Sequence, residues 1–396
     1  MSAPRMALEG IRVLDLGRFQ AGPRAGLVMA RLGAEVIKIE SIGGEESRSG
    51  GGNVRGQSAY WVQYNSGKKS ICLDLRKDSA KKVLRDLVEV SDVILQNFRP
   101  GTMDEMGFGY EALHAINKRI IMLNVSAYGQ YGPYRDRIGF DPIGQAICGL
   151  MWLTGYPETP PTMTAMPVID RITALHGTIG VLAALREREL SGEGQAIDVC
   201  LADTGFSLTE IPIAHYLGAG AIPRREGSRI PGSLTNVYKT KDGWTQIIIA
   251  NQNIWERLCN LLGKSEWLTD PRLSGRSGKT KNAHIVEAEL EKWFAARNTE
   301  DAVNTFSGAG IPCCPVNDIP QAAKCPQIWE RELLVEVPDP VAGKIHVAGK
   351  YIKLSRSKEI VGSAPAPGQH TDEVLTGILK YSSEKVQKLR EEKAVG

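Results

Sequence analysis

An α/β fold, an open parallel sheet with a smaller α+β domain beside it, is the architecture this sequence predicts. Three observations carry it: the chain opens β-α-β, strand-like and helical segments keep alternating to about residue 201, and 396 residues exceed what one core ordinarily fills. A hydrophobic content of 42% with 23% charged residues is that of an ordinary globular chain.

The opening unit is the strand Ile11–Leu16 (IRVLDL), a helix opened by Pro23 with Leu27, Met29 and Leu32 on its apolar face, and the strand AEVIKIE at 34–40. A right-handed crossover makes the two strands parallel. The loop Gly17–Gly22 then lies where a dinucleotide fold grips pyrophosphate, and Glu40 ends the second strand where an acid would hold an NAD ribose. Gly17, Gly22 and Gly26 break the G-x-G-x-x-G spacing. The reading is a Rossmann-like sheet without the dinucleotide motif, which argues against an NAD-dependent oxidoreductase.

Residues 43–58 form a Gly- and Ser-rich loop carrying Arg48 and Arg55. The following NSGKKS fails as a P-loop, because that motif needs glycine where Val62 stands and a hydroxyl where Lys69 stands. A basic turn at Lys68–Lys69 is left, entering the strand Ser70–Leu75 and a helix from Ser79 to Val90. The strand Asp92–Leu95 breaks into a loop with backbone N–H groups at Asn97, Phe98 and Arg99. The strand Ile120–Val125 leads to a Gly- and Tyr-rich loop, the place where open α/β sheets hold ligands. A helix over Asp141–Leu153 follows, then one beyond Asp170 whose Ile172, Leu175, Ile179 and Leu182 recur at helical spacing and read as core-facing, ending at Ser191-Gly192.

The strand Gln195–Leu201 and helical sequence to Ala219 complete the first part of the large domain, residues 1–220. Composition then turns Gly-, Arg- and Pro-rich, Lys241–Gly243 reads as a hairpin turn before the strand Thr245–Ala250, and residues 225–325 form the small α+β domain, with NQNIWERLCNLLG and a helix near 282–297. Residues 326–396 are the linker and return to the large domain, with strands at Leu333–Val337 and Lys344–Leu354, a turn at Ala364–Gly368 and a charged final helix.

Charge and cysteine usage exclude several classes. The net charge of +3 from 48 basic and 45 acidic residues carries no signature of nucleic-acid or membrane binding. Seven cysteines without C-x-x-C spacing fit neither a disulfide framework nor a zinc site, so no metal is expected. MSAPRMALEG has no apolar signal region and no run of about 18 apolar residues occurs, so the cytoplasm is the expected location by default.

Asp170 heads an apolar helix, MPVIDRITALHGTIGVLAAL (166–185). Such an aspartate is ordinarily an N-cap with no chemistry attached. The same helix terminus favours an anionic carboxylate, which suits a nucleophile. His176, six residues on, does not share its helix face and reads as structural, and the remaining histidines have no recurring spacing.

Several stretches together resemble the class III (CaiB/BaiF) CoA-transferases, the superfamily of formyl-CoA:oxalate and carnitine CoA-transferases and of α-methylacyl-CoA racemases. They are LEGIRVLDLGRFQAGP (8–23), LGAEVIKIE (32–40), YWVQYNSGKKSICLDL (60–75), NFRPGTMDEMGFGYE (97–111), SAYGQYGPY (126–134), GFDPIGQAICGLMWLTG (139–155), the Asp170 helix, GEGQAIDVCLAD (193–203) and GIPCCPVND (310–318). The resemblance implies a large Rossmann-like domain built from both chain ends, a small domain, and two chains interlocked as a homodimer. It implies acyl-CoA and carboxylic acid substrates, with coenzyme A entering as a thioester and no tightly bound cofactor.

Asp170 matches the family's catalytic aspartate, and Gln20 is expected to steady the reacting oxyanion. The CoA contacts implied are Gln20, Ala21, Leu73, Arg76, Asn97, Phe98 and Arg99, with Arg76, Lys69 and Arg48 as the cations from which the phosphates draw at least one partner. A carboxylate at Asp170 attacks the thioester to give an acyl-aspartyl anhydride, CoA thiolate converts it to an aspartyl-CoA thioester, and the acceptor acid reverses the sequence. Anhydrides need water excluded, and Gly227–Gly232 is the candidate flap. Two departures matter: Ser41 and Glu105 stand where formyl-CoA:oxalate enzymes often have arginine, and Phe140 stands where racemases have a catalytic histidine. The racemase alternative loses a proton carrier at Phe140, and a silent CoA-binding protein is disfavoured by the retained Asp170. Tyr128, Tyr131, Tyr134 and Phe140 permit an apolar or aromatic acid, whereas Arg135 and Arg137 permit a dicarboxylate.

Overall fold

A computed structural model describes residues 5–358 and 361–396, and the chain divides into two compact units. Residues 1–4 of the expected first domain and 359–360 of the return segment lie outside the described residues. The first unit comprises 1–150, 164–214 and 329–396; the second comprises 151–163 and 215–328.

Along the chain the elements are β1 (Arg12–Asp15), α1 (Ala21–Arg31), β2 (Glu35–Glu40), a short hairpin of β3 (Asn53–Val54) and β4 (Gln57–Ser58), α2 (Ala59–Asn65), β5 (Lys69–Cys72) and α3 (Asp78–Glu89). Then come β6 (Val93–Gln96), α4 (Thr102–Glu105), α5 (Tyr110–Ile116), β7 (Ile121–Ser126), α6 (Asp141–Ile147), α7 (Leu150–Leu153), α8 (Val168–Ser191), β8 (Ala196–Cys200) and α9 (Leu201–Ala219). The six long strands pair in parallel in the spatial order β5-β2-β1-β6-β7-β8. Counted among themselves they run 3-2-1-4-5-6, the doubly wound order, which reverses between β1 and β6. The loops leaving the C-terminal ends of those two strands, 16–20 and 97–101, therefore flank the crevice where such sheets take ligands.

Both faces of the sheet are covered, so β6 (VILQ) and β7 (IMLNVS) are buried along their whole length. On one face Ala80, Val83, Leu84, Leu87 and Val88 of α3, at helical spacing, pack on Leu14, Ile37, Ile71 and Ile94. On the other, Ala25, Val28 and Met29 of α1 and Ala174, Val181 and Ala184 of α8 cover Val13, Val36, Leu95 and Leu123.

Helix α8 corrects the face read as core. Leu175, Ile179 and Leu182 are exposed, Ile179 at 62%. The buried side is the small one, Thr173, Ala174, Gly177, Thr178, Val181 and Ala184. Close approach to the sheet dictates this: a Cβ on Gly177 would lie 3.0 Å from Leu123 and one on Gly180 3.0 Å from Ile197. α8 is also the one described helix long and apolar enough to cross a membrane, and its small-residue face packs on α1, β7 and β8. A second correction concerns 141–153, which is not one helix: it breaks at Cys148–Gly149, where Gly149 takes φ +84°.

In the second unit β9 (Leu234–Lys239) and β10 (Trp244–Ile249) form a hairpin closed by Thr240 N–H to Gly243 O at 3.0 Å, and β11 (Cys313–Pro315) pairs antiparallel beside β10. Around them lie α10 (Gln252–Leu262), α11 (Gly275–Lys281), α12 (Ala283–Ala295), α13 (Thr299–Gly308), α14 (Ile319–Ala323) and α15 (Pro326–Glu330). Trp255 stacks on Trp267, and Phe294 and Phe306 fill the core.

The tail rejoins the first unit. The hairpin β12 (Leu334–Asp339) and β13 (Gly343–Ala348) buries Val337, Ile345 and Val347 with Trp61 and Val62 of α2, so the strand expected through Leu354 ends at Ala348. α16 (Ser383–Glu391) adds Val386 and Leu389 to the core beneath α3.

Candidate active site

The loop from β1 to α1 is anchored from below by an ionic network. Asp15 is fully buried, accepts Gly17 N–H at 2.8 Å, and meets Lys68 Nζ at 2.6 Å. Lys68 also donates to Pro23 O at 2.7 Å, and Lys38 donates to Gly17 O while pairing with Glu45 at 2.7 Å. Burial alone would raise the Asp15 carboxyl, but Lys38 and Lys68 outweigh it and hold it below its ordinary value. Burial brings Lys68 down to about 8 against the pull of Asp15. Four charges this deeply buried are costly unless well matched. What they hold is the path from Gly17 to Pro23, through Phe19 at φ +60°, that sets down Gln20.

Gln20 is buried; its Nε2 donates to Pro167 O at 3.4 Å and its Oε1 accepts from the Tyr60 hydroxyl at 3.5 Å. Pro167 is the residue before α8, so Gln20 reaches the start of the Asp170 helix. Across the crevice Asn97 locks the two loops together: its Oδ1 accepts Arg18 N–H at 2.7 Å and its Nδ2 donates to Arg18 O at 2.8 Å. Phe98 N–H is held by Gln96 Oε1 at 2.6 Å, and Gln96 in turn donates to Asn124.

Asp170 is the third residue of α8, not its N-cap. Pro167 occupies the cap position and makes no capping bond through its own side chain. The Asp170 backbone N–H, an orphan donor of the first turn, goes to Asp141 Oδ2 at 3.0 Å. Asp141 is buried and further bonded by Gln145 Nε2, whose Oε1 accepts Thr164 N–H at 2.9 Å. Among the described residues the Asp170 carboxylate has no hydrogen-bond or cationic partner, and burial followed by the Asp141 charge pushes it up to about 7. The direction is opposite to that expected of an aspartate kept anionic by the helix terminus, because desolvation and a neighbouring carboxylate both favour the protonated form.

Two cavities of the first unit collect the expected residues. One of about 290 Å³ is lined by Gln20, Ala21, Asn97, Phe98, Arg99 and Asp170. The other, about 510 Å³, is lined by Leu73, Arg76 and Phe98. Arg18 and Phe98 line both. Of the three candidate phosphate cations, Arg76 alone lines either of these two cavities, its side chain exposed and paired with Asp74 at 2.7 Å. Arg48 is consumed by Glu40 through two 2.7 Å bonds and lies 3.6 Å over the Trp61 ring, and Lys69 is shared between Glu35 and Glu373. Glu40 also accepts from Ser70 Oγ and from Glu45 N–H, which leaves no carboxylate for a ribose.

Phe140 lines the Asp170 cavity and offers no proton there. His176 bonds Thr204 Oγ1 at 3.2 Å through Nδ1. Gly227 and Gly232 belong to the second unit, both at positive φ. Among the described residues no three His, Cys, Asp or Glu side chains converge as metal ligands. Asp141, Tyr60 and Arg18 were not singled out by sequence reasoning. For Asp141 a signal was present in Asp-Pro at the start of a helix, but that pattern reports a helix start, not a contact 29 residues away.

The sequence profile of CoA-transferase family III matches residues 8–371. The chain belongs to that family. A succinyl-CoA:D-citramalate CoA-transferase from Chloroflexus aurantiacus is 34% identical over 397 residues, covering 99% of each chain. A formyl-CoA:oxalate CoA-transferase from Rhodopseudomonas palustris is 30% identical over 422 residues, covering 98% of this chain and 97% of its own. The crystal structure of a CaiB/BaiF family protein from Brucella suis superposes with a TM-score of 0.85 at 30% identity, over 94% of this chain and 100% of that one. The protein is therefore an enzyme of the class III CoA-transferase family, with an α/β fold of one six-stranded parallel sheet and small antiparallel sheets.

Proposed function

We propose that the enzyme moves CoA from an acyl-CoA thioester to a free carboxylic acid with Asp170 as covalent nucleophile. The observation that carries this is the unpartnered Asp170 carboxylate in one cavity wall with Gln20, Ala21, Asn97 and Phe98. An Asp170 oxygen attacks the thioester carbonyl, the C–S bond breaks, and an acyl-aspartyl anhydride and CoA thiolate result. Thiolate then attacks the aspartyl carbonyl and the donor acid leaves as carboxylate. The acceptor carboxylate attacks the aspartyl-CoA thioester, giving a second anhydride, and thiolate takes the acceptor acyl group to regenerate Asp170. Gln20 Nε2, now bonded to a backbone carbonyl, is the donor placed to turn to the developing oxyanion. A carboxylate of raised basicity is the better nucleophile, and the lack of any cation at Asp170 preserves that basicity.

CoA is read as lying with its pantetheine along Ala21, Asn97, Phe98 and Arg99 and its nucleotide end toward Leu73 and Arg76. The functional unit is proposed to be an interlocked homodimer. The exposed apolar side chains Leu175, Ile179 and Leu182 on α8 and Phe206 and Ile211 on α9 support a partner at these helices. Incubation with panels of acyl-CoA donors and acids, read by chromatography of the CoA products, tests the reading. Transfer by the wild type that Asp170→Ala abolishes is expected, and transfer retained by Asp170→Ala refutes it.

A further inference from the structure

Residues 394–396 stand directly behind the cavity lined by Leu73 and Arg76. α16 ends at Glu391, Ala394 N–H returns to Leu389 O at 2.9 Å, and Lys393 takes φ +52°, a left-handed turn that a residue with a side chain seldom adopts. The turn sends the chain along the outer edge of β5, the end strand of the six-stranded sheet. There Leu73 and Val395 face each other in an antiparallel bridge, Gly396 N–H donates to Cys72 O at 3.1 Å, and Asp74 N–H donates to Ala394 O at 2.9 Å. Backbone groups of an otherwise open edge are thereby paired. Ala394 and Val395 are buried in one core cluster with Leu73, Lys77 Nζ holds Glu392 O, and Thr371 Oγ1 donates to Gly396 O at 2.8 Å.

Four residues of the 510 Å³ cavity depend on this pairing. Leu73 is fixed by the bridge and Asp74 by its N–H bond. Arg76 is fixed through Asp74, whose carboxylate accepts Nε at 2.7 Å and Nη2 at 3.0 Å. Ile42 meets Gly396 directly, since a Cβ on Gly396 would lie 3.2 Å from Ile42 Cδ1 and 3.2 Å from Cys72 Cβ. Residues 394–396 do not line the cavity themselves, so whatever they do there passes through these four.

We propose that Ala394, Val395 and Gly396 are positioning residues for CoA, holding Ile42, Leu73 and Asp74 in the shape that receives the nucleotide end of the thioester. This rests on the reading that places that end at Leu73 and Arg76. A sheet edge released from its pairing turns its backbone groups to water, and a wall displaced by about 1 Å no longer presents its apolar side chains and its cation together. Asp170 lies in the other cavity, so the effect falls on recognition of the carrier and not on the acyl group.

The test is calorimetric titration of CoA and, separately, of pantetheine, which lacks the nucleotide. The proteins are the wild type, a chain ending at Lys393, Gly396→Val and Arg76→Gln, with melting temperature as the fold check. Gly396→Val keeps Ala394 and Val395 in the core while pressing on Ile42, so it decides the matter where the shortened chain fails to fold. Loss of a charge-assisted contact predicts CoA binding weakened on the order of tenfold in both tail variants, with pantetheine binding unchanged. CoA affinity unaltered in folded Gly396→Val, while Arg76→Gln weakens it, overturns the role of the tail and leaves the placement of the nucleotide end standing. An equal loss for both ligands also overturns it, the tail then being general support for the fold. CoA bound by the wild type no more tightly than pantetheine, with Arg76→Gln silent, overturns the placement and the proposal together.

Discussion

Replacing Asp170 by asparagine should change how stability depends on pH. The carboxyl is pushed from an ordinary 3.8 to about 7, first by burial and then by Asp141. Between those values the folded chain holds a proton that the unfolded chain has lost, so stability falls as pH rises through the window and the loss is complete above about 7. Each pH unit of this mismatch is worth about 1.36 kcal/mol, which from about pH 5 to about pH 8 amounts to roughly 2.5 kcal/mol. At about 2.1 cal/mol/K of unfolding entropy per residue, a chain of 396 residues converts that into roughly 3 °C of Tm. Asparagine keeps the shape and never ionises. The assay is thermal unfolding of both proteins at the two pH values: the gain of Asp170→Asn over wild type should grow by about 3 °C toward pH 8. Carboxylates such as Asp15 and Glu35, shifted the other way, cancel in the difference. Parallel pH profiles for the two proteins would refute the assigned environment of Asp170.

Further expectations concern the surroundings. Asp141→Asn removes the like charge beside Asp170, so the rising limb of the pH–rate profile should move to lower pH, and an unmoved limb would show that burial alone sets it. Lys68→Met leaves Asp15 buried with only Lys38 at 3.9 Å, and urea unfolding should register a loss of about 3–5 kcal/mol. Ile179→Glu puts a charge on the exposed α8 stripe and should shift mass by light scattering from dimer to monomer, whereas an unchanged mass places the interface elsewhere.

Much of the first unit was legible because its signals are local. The β-α-β opening and the run of apolar strands cover β1, β2 and β5 through β8, while the short hairpin β3–β4 falls in the stretch read as a loop, and α3 shows its buried stripe at regular spacing. The strand order was not local: nothing in β5 says that it lies outside β2, and only the paired register reveals the reversal beside β1. α8 misled because periodicity finds a large-residue face without saying what it meets, and here close packing selected Gly177 and Ala174 for the sheet. Residues around Asp170 were readable through family resemblance as loops at 20–21 and 97–99, and they line one cavity. Asp141 was not readable, since its role is a bond to the backbone of Asp170, which no residue pattern encodes. Arg48 and Lys69 looked like phosphate cations because a sequence displays charge without its partner, and Glu40 and Glu35 are those partners.

Covalent chemistry at Asp170 is the central claim, and trapping reaches it most directly. The enzyme is incubated with an acyl-CoA and hydroxylamine, digested, and the peptide spanning 166–185 is read by mass spectrometry. An aspartyl hydroxamate at Asp170, formed only with the thioester present, is the predicted result. An unmodified Asp170 peptide from enzyme that is turning over under the same conditions would contradict it.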